Sequence, residues 1–277
     1  MVSRRCRSLG MSLLECLVGL ALGLAVVGTV ARHFLVTGRS ARLHAAQAQM
    51  VDDAQIGLQL LASDIAMAGY AQPQRWQSQP DGSTRWQTGL AEPALFACDT
   101  GFAAPSTAGA LACAASGTSA ALAVRYQADM YNTVPLSKKT EPSDCLGAGL
   151  GSGTVLITEN RWYVASSQGR TELRCASRLG NPGQPLVDNV ESMVLWFSQA
   201  LAGDPEAPVR WVTAGQVSDF SRVRSVRLCL VLRSTDAVLG PEDSASFIDC
   251  QGLAQTVSDG RLRRAFHTTV ALRTFPG

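Results

Sequence analysis

The 277-residue chain is poor in the groups from which most enzymes and metal sites are built. It has three histidines, His33, His44 and His267, and its eight cysteines form no CxxC pair, so a zinc cluster is not expected. The glycine-rich run Gly147 to Gly153, GAGLGSG, has the spacing of neither GxSxG nor GxGxxG and precedes no helical pattern, which leaves it as a flexible loop. Asp204, Glu206, Glu242 and Asp243 stand near prolines without the regular ligand order of a calcium loop, and read as solvated turns. His267 has no paired nucleophile to serve. No long basic tract marks a nucleic-acid surface. The expectation is a protein without catalytic residues, metal or cofactor, and without a small-molecule substrate or nucleic acid as partner.

What is present starts at the N-terminus. Arg4, Arg5 and Arg7 precede Gly10 with no acid among them, and Met11 to Ala31 carries a single charge, Glu15. A basic segment before a membrane-length apolar run is an export or anchoring signal. A cleaved secretory signal would place small residues at the end of its apolar core, whereas this core runs into Arg32, His33 and Phe34. A plain signal anchor has no use for a carboxylate in its first apolar turns, where an ionised group costs up to roughly 3 kcal/mol at the helix centre. Cleavage after Gly10 would supply a partner, because the α-amine of Met11 is protonated at neutral pH. Glu15 could meet that amine within one chain at i,i+4 spacing, or meet the amine of a neighbour. Only the second builds a filament.

Gly10, Met11, Ser12 and Glu15 in this arrangement resemble the class III signal of type IV prepilins and pseudopilins, with Met11 at the position usually held by phenylalanine. Leu60 to Tyr70, LLASDIAMAGY, resembles a signature of the PilW type of minor pilin. Similar matches are Leu122 to Tyr126 (LAVRY), Asn160 to Ala165 (NRWYVA) and Val226 to Ser234 (VRLCLVLRS). The resemblance implies cleavage by a prepilin peptidase between Gly10 and Met11, N-methylation of Met11, and assembly or priming together with other minor pilins and the major pilin. It implies residence in the inner membrane, with the C-terminal domain in the periplasm, and then in the type IV pilus.

The helix continues beyond a membrane. No proline occurs before Pro73, and Leu43, Met50, Ala54, Leu58, Leu61, Ile65 and Ala68 recur at helical spacing, with Gln49, Asp52, Asp53, Gln59, Ser63 and Asp64 on the polar side. Gly69 is the expected C-terminal cap. From Met11 such a helix measures roughly 85–90 Å at about 1.5 Å per residue, some three bilayer cores. The expected division is leader 1–10, membrane part 11–36, amphipathic helix 37–69 and periplasmic domain 70–277.

In that domain, residues 71 to 121 are rich in Gln, Pro, Gly, Ser and Ala and read as loop, with Trp76 and Trp86 as anchors or contact residues. Ala121 to Tyr126 and Thr154 to Ile157 read as strands, with a turn at Glu159–Asn160 and a return along Arg161 to Ala165. Val190 to Phe197, Val209 to Val212, Val226 to Arg233 and Phe266 to Arg273 complete an antiparallel sheet. The fold class is α+β, a long N-terminal helix packed on that sheet.

Cys6 leaves with the leader, Cys16 lies in the apolar helix, and Cys98, Cys113, Cys145, Cys175, Cys229 and Cys250 remain for an oxidising compartment. Six cysteines allow 15 pairings. Sequential pairing, 98–113, 145–175 and 229–250, is expected because each closes a local loop, worth roughly 3 kcal/mol for about 15 residues. A minor pseudopilin of a type II secretion system shares these features, and a membrane-anchored periplasmic enzyme or binding domain is a different class of answer.

Overall fold

The computed structural model describes residues 12–73, 75–78, 84–87, 90, 92–133, 141–200, 209–240 and 243–272. Its single α-helix among these, α1, runs Leu13–Met67. Contacts divide the chain into two compact units, Met1–Ala46 and Gln47–Gly277. In the first, α1 presents Leu13, Leu17, Leu20, Leu24, Val27 and Phe34 to the surroundings, each more than half exposed. This part of the helix is long and apolar enough to cross a membrane.

The second unit begins with the rest of α1, which ends as its sequence demands. Gly69 takes a left-handed φ of 78°, and its N–H donates to the Arg125 carbonyl at 2.9 Å. Thirteen strands follow: β1 (Arg75–Ser78), β2 (Thr84–Gln87), β3 (Leu95–Cys98), β4 (Ala121–Gln127), β5 (Ile157–Ser167), β6 (Arg170–Ser177), β7 (Gln184–Asp188), β8 (Val190–Ala200), β9 (Val209–Val212), β10 (Val223–Arg233), β11 (Ala245–Ile248), β12 (Ala254–Val257) and β13 (Arg263–Ala271). They form a five-stranded sheet in the order β3-β4-β5-β6-β7, a four-stranded sheet in the order β13-β10-β8-β9, and the hairpins β1-β2 and β11-β12, with every pairing antiparallel. The chain crosses from one large sheet to the other between β7 and β8 through Asn189 alone, which holds φ at 62°.

One core joins the helix to both sheets. Ala54, Leu61 and Ile65 of α1, with Ala68 just past its end, cluster with Leu122 and Val124 of β4, Leu173 of β6, Leu195 and Phe197 of β8, and Val226, Leu228 and Leu230 of β10. The helix packs tightly on both sheets at Gly57, where a Cβ would lie 3.2 Å from Leu230 Cδ1 and 3.6 Å from Leu173 Cδ2 and Val187 Cγ2. Every residue of β4 is buried, and Phe102 and Leu111 of the loop between β3 and β4 cover Ala121 and Ala123 on the outer face.

Three expectations about this unit need correction. The segment read as loop contains β1, β2 and β3. The turn placed at Glu159–Asn160 is the middle of β5, which begins at Ile157 and pairs with β4 throughout Ile157–Tyr163. The real hairpin turn is Gln168–Gly169, with φ of 52° and 77° as a two-residue turn of the primed type requires. Third, Asp64 is on the buried stripe of α1 and not on its polar side.

Gly57 tests the packing. In denaturant melts, Gly57→Ala is expected to stay within about 1 kcal/mol of wild type, since helix propensity offsets the crowding, whereas Gly57→Leu should lose roughly 2 kcal/mol or more by overpacking.

Candidate functional site

At the N-terminal end of α1, Ser12 and Glu15 close a capping box. The Leu14 N–H donates to Ser12 Oγ at 3.3 Å, and the Ser12 N–H donates to Glu15 Oε2 at 2.9 Å. Glu15 therefore satisfies a free N–H of its own first turn while standing exposed at the head of an apolar helix. Ser12-x-x-Glu15 was a legible signal for this, and the sequence reading took Glu15 only for its charge. Gly10 and Met11 lie outside the described residues, as do Cys6, Asp204, Glu206 and Glu242. Asp243 lies between β10 and β11. His33 and His44 are on α1, and His267 Nε2 on β13 is 3.7 Å from Cys229 Sγ.

Disulfides join Cys98 to Cys113, Cys145 to Cys175 and Cys229 to Cys250, while Cys16 is an exposed free thiol on α1. The first bridge pins the loop after β3 to that strand, the second ties the loop around residues 143–149 to β6, and the third fastens the β11-β12 hairpin to β10.

The short segments that suggested the resemblance converge in space. Asp64, from LLASDIAMAGY, accepts a hydrogen bond at Oδ1 from Asn160 Nδ2 (2.8 Å) and at Oδ2 from Trp162 Nε1 (2.6 Å), both from NRWYVA. The Tyr126 hydroxyl, from LAVRY, interacts with the same carboxylate and accepts from Asn160 Nδ2 at 3.3 Å. Asn160 in turn receives the Cys145 N–H at 3.0 Å and the Thr158 hydroxyl at 3.1 Å. The fourth segment, VRLCLVLRS, is β10, whose Leu230 meets Gly57.

Beside this cluster is an ionic one. Glu159 accepts from Arg125 Nε at 2.5 Å and from Arg161 Nε at 2.7 Å. Arg161 is fully buried, and its guanidinium also holds the carbonyls of Pro105 (3.1 Å) and Thr107 (2.6 Å). Two guanidinium groups around one carboxylate, with the remaining N–H groups on backbone carbonyls, meet the condition under which buried charge is tolerated.

Asp64 has no cation beside it. Burial lifts its carboxyl from the ordinary 3.8 to about 6, against the three hydrogen bonds, which favour the charged form. Burial, aided by the Asp64 charge, also pushes the Tyr126 hydroxyl up, so tyrosine stays neutral and donates. The cluster is suited to holding α1 on the five-stranded sheet.

Residues 161–274 match the family model described as Type IV Pilus-assembly protein W. No curated protein matches the chain. Among solved structures, the type IV-like pilin TTHA1219 from Thermus thermophilus is similar at a TM-score of 0.39 and 11% identity, covering 83% of this chain and 100% of that one.

The buried carboxylate makes stability pH-dependent in a defined direction. A folded state that holds the Asp64 proton more tightly than the unfolded chain has the full benefit below about pH 4 and loses it as pH rises through about 6. The stability of wild type minus that of Asp64→Asn, from melts of the full chain, should therefore fall by on the order of 3 kcal/mol between about pH 4 and pH 7; parallel profiles would refute it. Of the segments that carry the PilW-type resemblance, VRLCLVLRS and all of NRWYVA but Asn160 fall within residues 161–274, the part of the chain similar to the type IV pilus-assembly protein W family, while LLASDIAMAGY and LAVRY lie outside it.

Proposed function

We propose that the protein is a minor pilin, made as a precursor, cut after Gly10 by a prepilin peptidase, methylated on the new Met11 amine, and incorporated into a type IV pilus, where it helps to prime assembly. The observation that carries this reading is the joint presence of a pilus-assembly family match over residues 161–274 and an exposed apolar helix headed by Glu15 behind a basic leader.

The mechanism follows from the solvent of each part. In the membrane, the apolar surface of α1 meets lipid; in a filament it is buried against neighbouring α1 helices, with Gly19, Gly23 and Gly28 leaving room for close approach. Glu15 then lies in a low-dielectric layer, where the ammonium of an adjacent subunit's first residue is its natural partner. The capping bond from Ser12 orients the carboxylate beforehand and leaves further acceptor capacity for that ammonium. The division into a membrane part (11–36), an amphipathic part (37–69) and a periplasmic domain (70–277) belongs to the same proposal. Other minor pilins, the major pilin and the peptidase are its partners.

Two measurements test it. Mass spectrometry of the mature chain should find methylated Met11, and Gly10→Ala should abolish shortening; a shortened Gly10→Ala product would overturn the processing step. Glu15→Ala should leave cleavage intact and lower recovery in sheared filaments at least tenfold, while equal recovery would remove the proposed ion pair.

A further inference from the structure

Two hollows open beside β5 and share its Tyr163 and Ala165; the first is on the outer face of the five-stranded sheet, and the second runs along the end of β5 past the start of β4, where residues of both faces line it. Each measures about 370 Å³, within the roughly 300–1,000 Å³ of small-ligand sites. The first lies between Ser106, Tyr163, Arg174 and Gly183. The second lies between the loop closed by Cys98–Cys113 and the end of the β5-β6 hairpin, with Glu191 at its margin.

The lining has one dominant chemistry. Thr100, Ser116, Thr118, Ser119, Ser166 and Thr171 bring hydroxyls to the second hollow, Phe102 and Tyr163 bring rings, and Glu191 is its one charged lining residue. Arg174 is the one charged residue lining the first, and it already pairs with Glu172 at 3.1 Å. A phosphorylated ligand would need more cationic groups, and an acyl chain would need a continuous apolar wall. Hydroxyls are at once donors and acceptors, and they suit a ligand that is itself covered in hydroxyls and has an apolar ring face.

The walls are fixed in advance. The loop is held by its disulfide and by Arg161 on the Pro105 and Thr107 carbonyls. Gly183 packs so closely on the Tyr163 hydroxyl that no side chain fits there. Such order lowers the entropy cost of binding. Two buried atoms in the lining residues, Thr171 Oγ1 and Arg174 Nε, have no hydrogen-bond partner. Unsatisfied buried groups call for a partner.

We propose that these hollows are adjoining subsites for a neutral, hydroxyl-rich oligosaccharide, with Tyr163 as the platform between them. The proposal does not depend on filament assembly. The test uses the full chain in a detergent without a sugar headgroup, with chitotriose, maltotriose and an array of neutral glycans as probes, read by saturation-transfer NMR and calorimetry. Saturation transfer to a neutral glycan is expected, with binding weakened at least tenfold by Tyr163→Ala and severalfold by Thr171→Val, and unchanged by Glu15→Ala. If Tyr163→Ala does not fold, Thr171→Val and Ser166→Ala carry the test. Binding to no neutral glycan, preference for charged ligands, or affinity indifferent to the groove substitutions would each overturn it.

Discussion

Among the described residues, a buried carboxylate with hydrogen-bond donors and no cation as partners fastens α1 to the sheets of the second unit. Asp64 reaches from α1 to Asn160 and Trp162 of β5 and lies beside Tyr126 of β4, polar groups that belong to two strands of the five-stranded sheet. Hydrophobic burial supplies most of the attraction between helix and sheets, but it is non-directional. The Asp64 bonds and the notch at Gly57 give that attraction an orientation. Removing one donor would leave a buried acceptor lone, which costs more than the bond itself contributes.

The ionic cluster next to it works on the opposite face. β5 alternates, so Asn160 and Trp162 point toward α1 while Glu159 and Arg161 point toward the loop that follows β3. One strand therefore fastens two coverings, the helix on one side and the disulfide loop on the other. That is why β4, its neighbour, is buried at every residue. Polar groups at the centre of a sheet serve here as fasteners, each with its partners present.

The same economy explains which parts were legible from sequence. α1 was readable because Met50, Ala54, Leu61 and Ile65 repeat at helical spacing, and β10 because Val226, Leu228, Leu230 and Leu232 alternate with residues of the other face. Asp64 was misplaced because a charge normally marks the wet side of a helix, and its partners are about a hundred residues away. Glu159–Asn160 reads as a turn for the same reason: two polar residues flanked by Thr158 and Arg161 suggest solvent unless their pairing is known. The strands β1 to β3 are four residues each and hold one β-branched residue between them, Thr84, too little to announce a strand. The groove was invisible because serine and threonine carry no pattern until a fold gathers them.

The disulfides have a kinetic consequence. Each bridge closes a short span, 15, 30 and 21 residues, and none overlaps another along the chain. On the proposed translocation from the N-terminal side, the chain delivers each pair of thiols complete before the first thiol of the next pair emerges. Correct oxidation can then keep pace with translocation, and the wrong pairings are avoided by order of arrival instead of by later reshuffling.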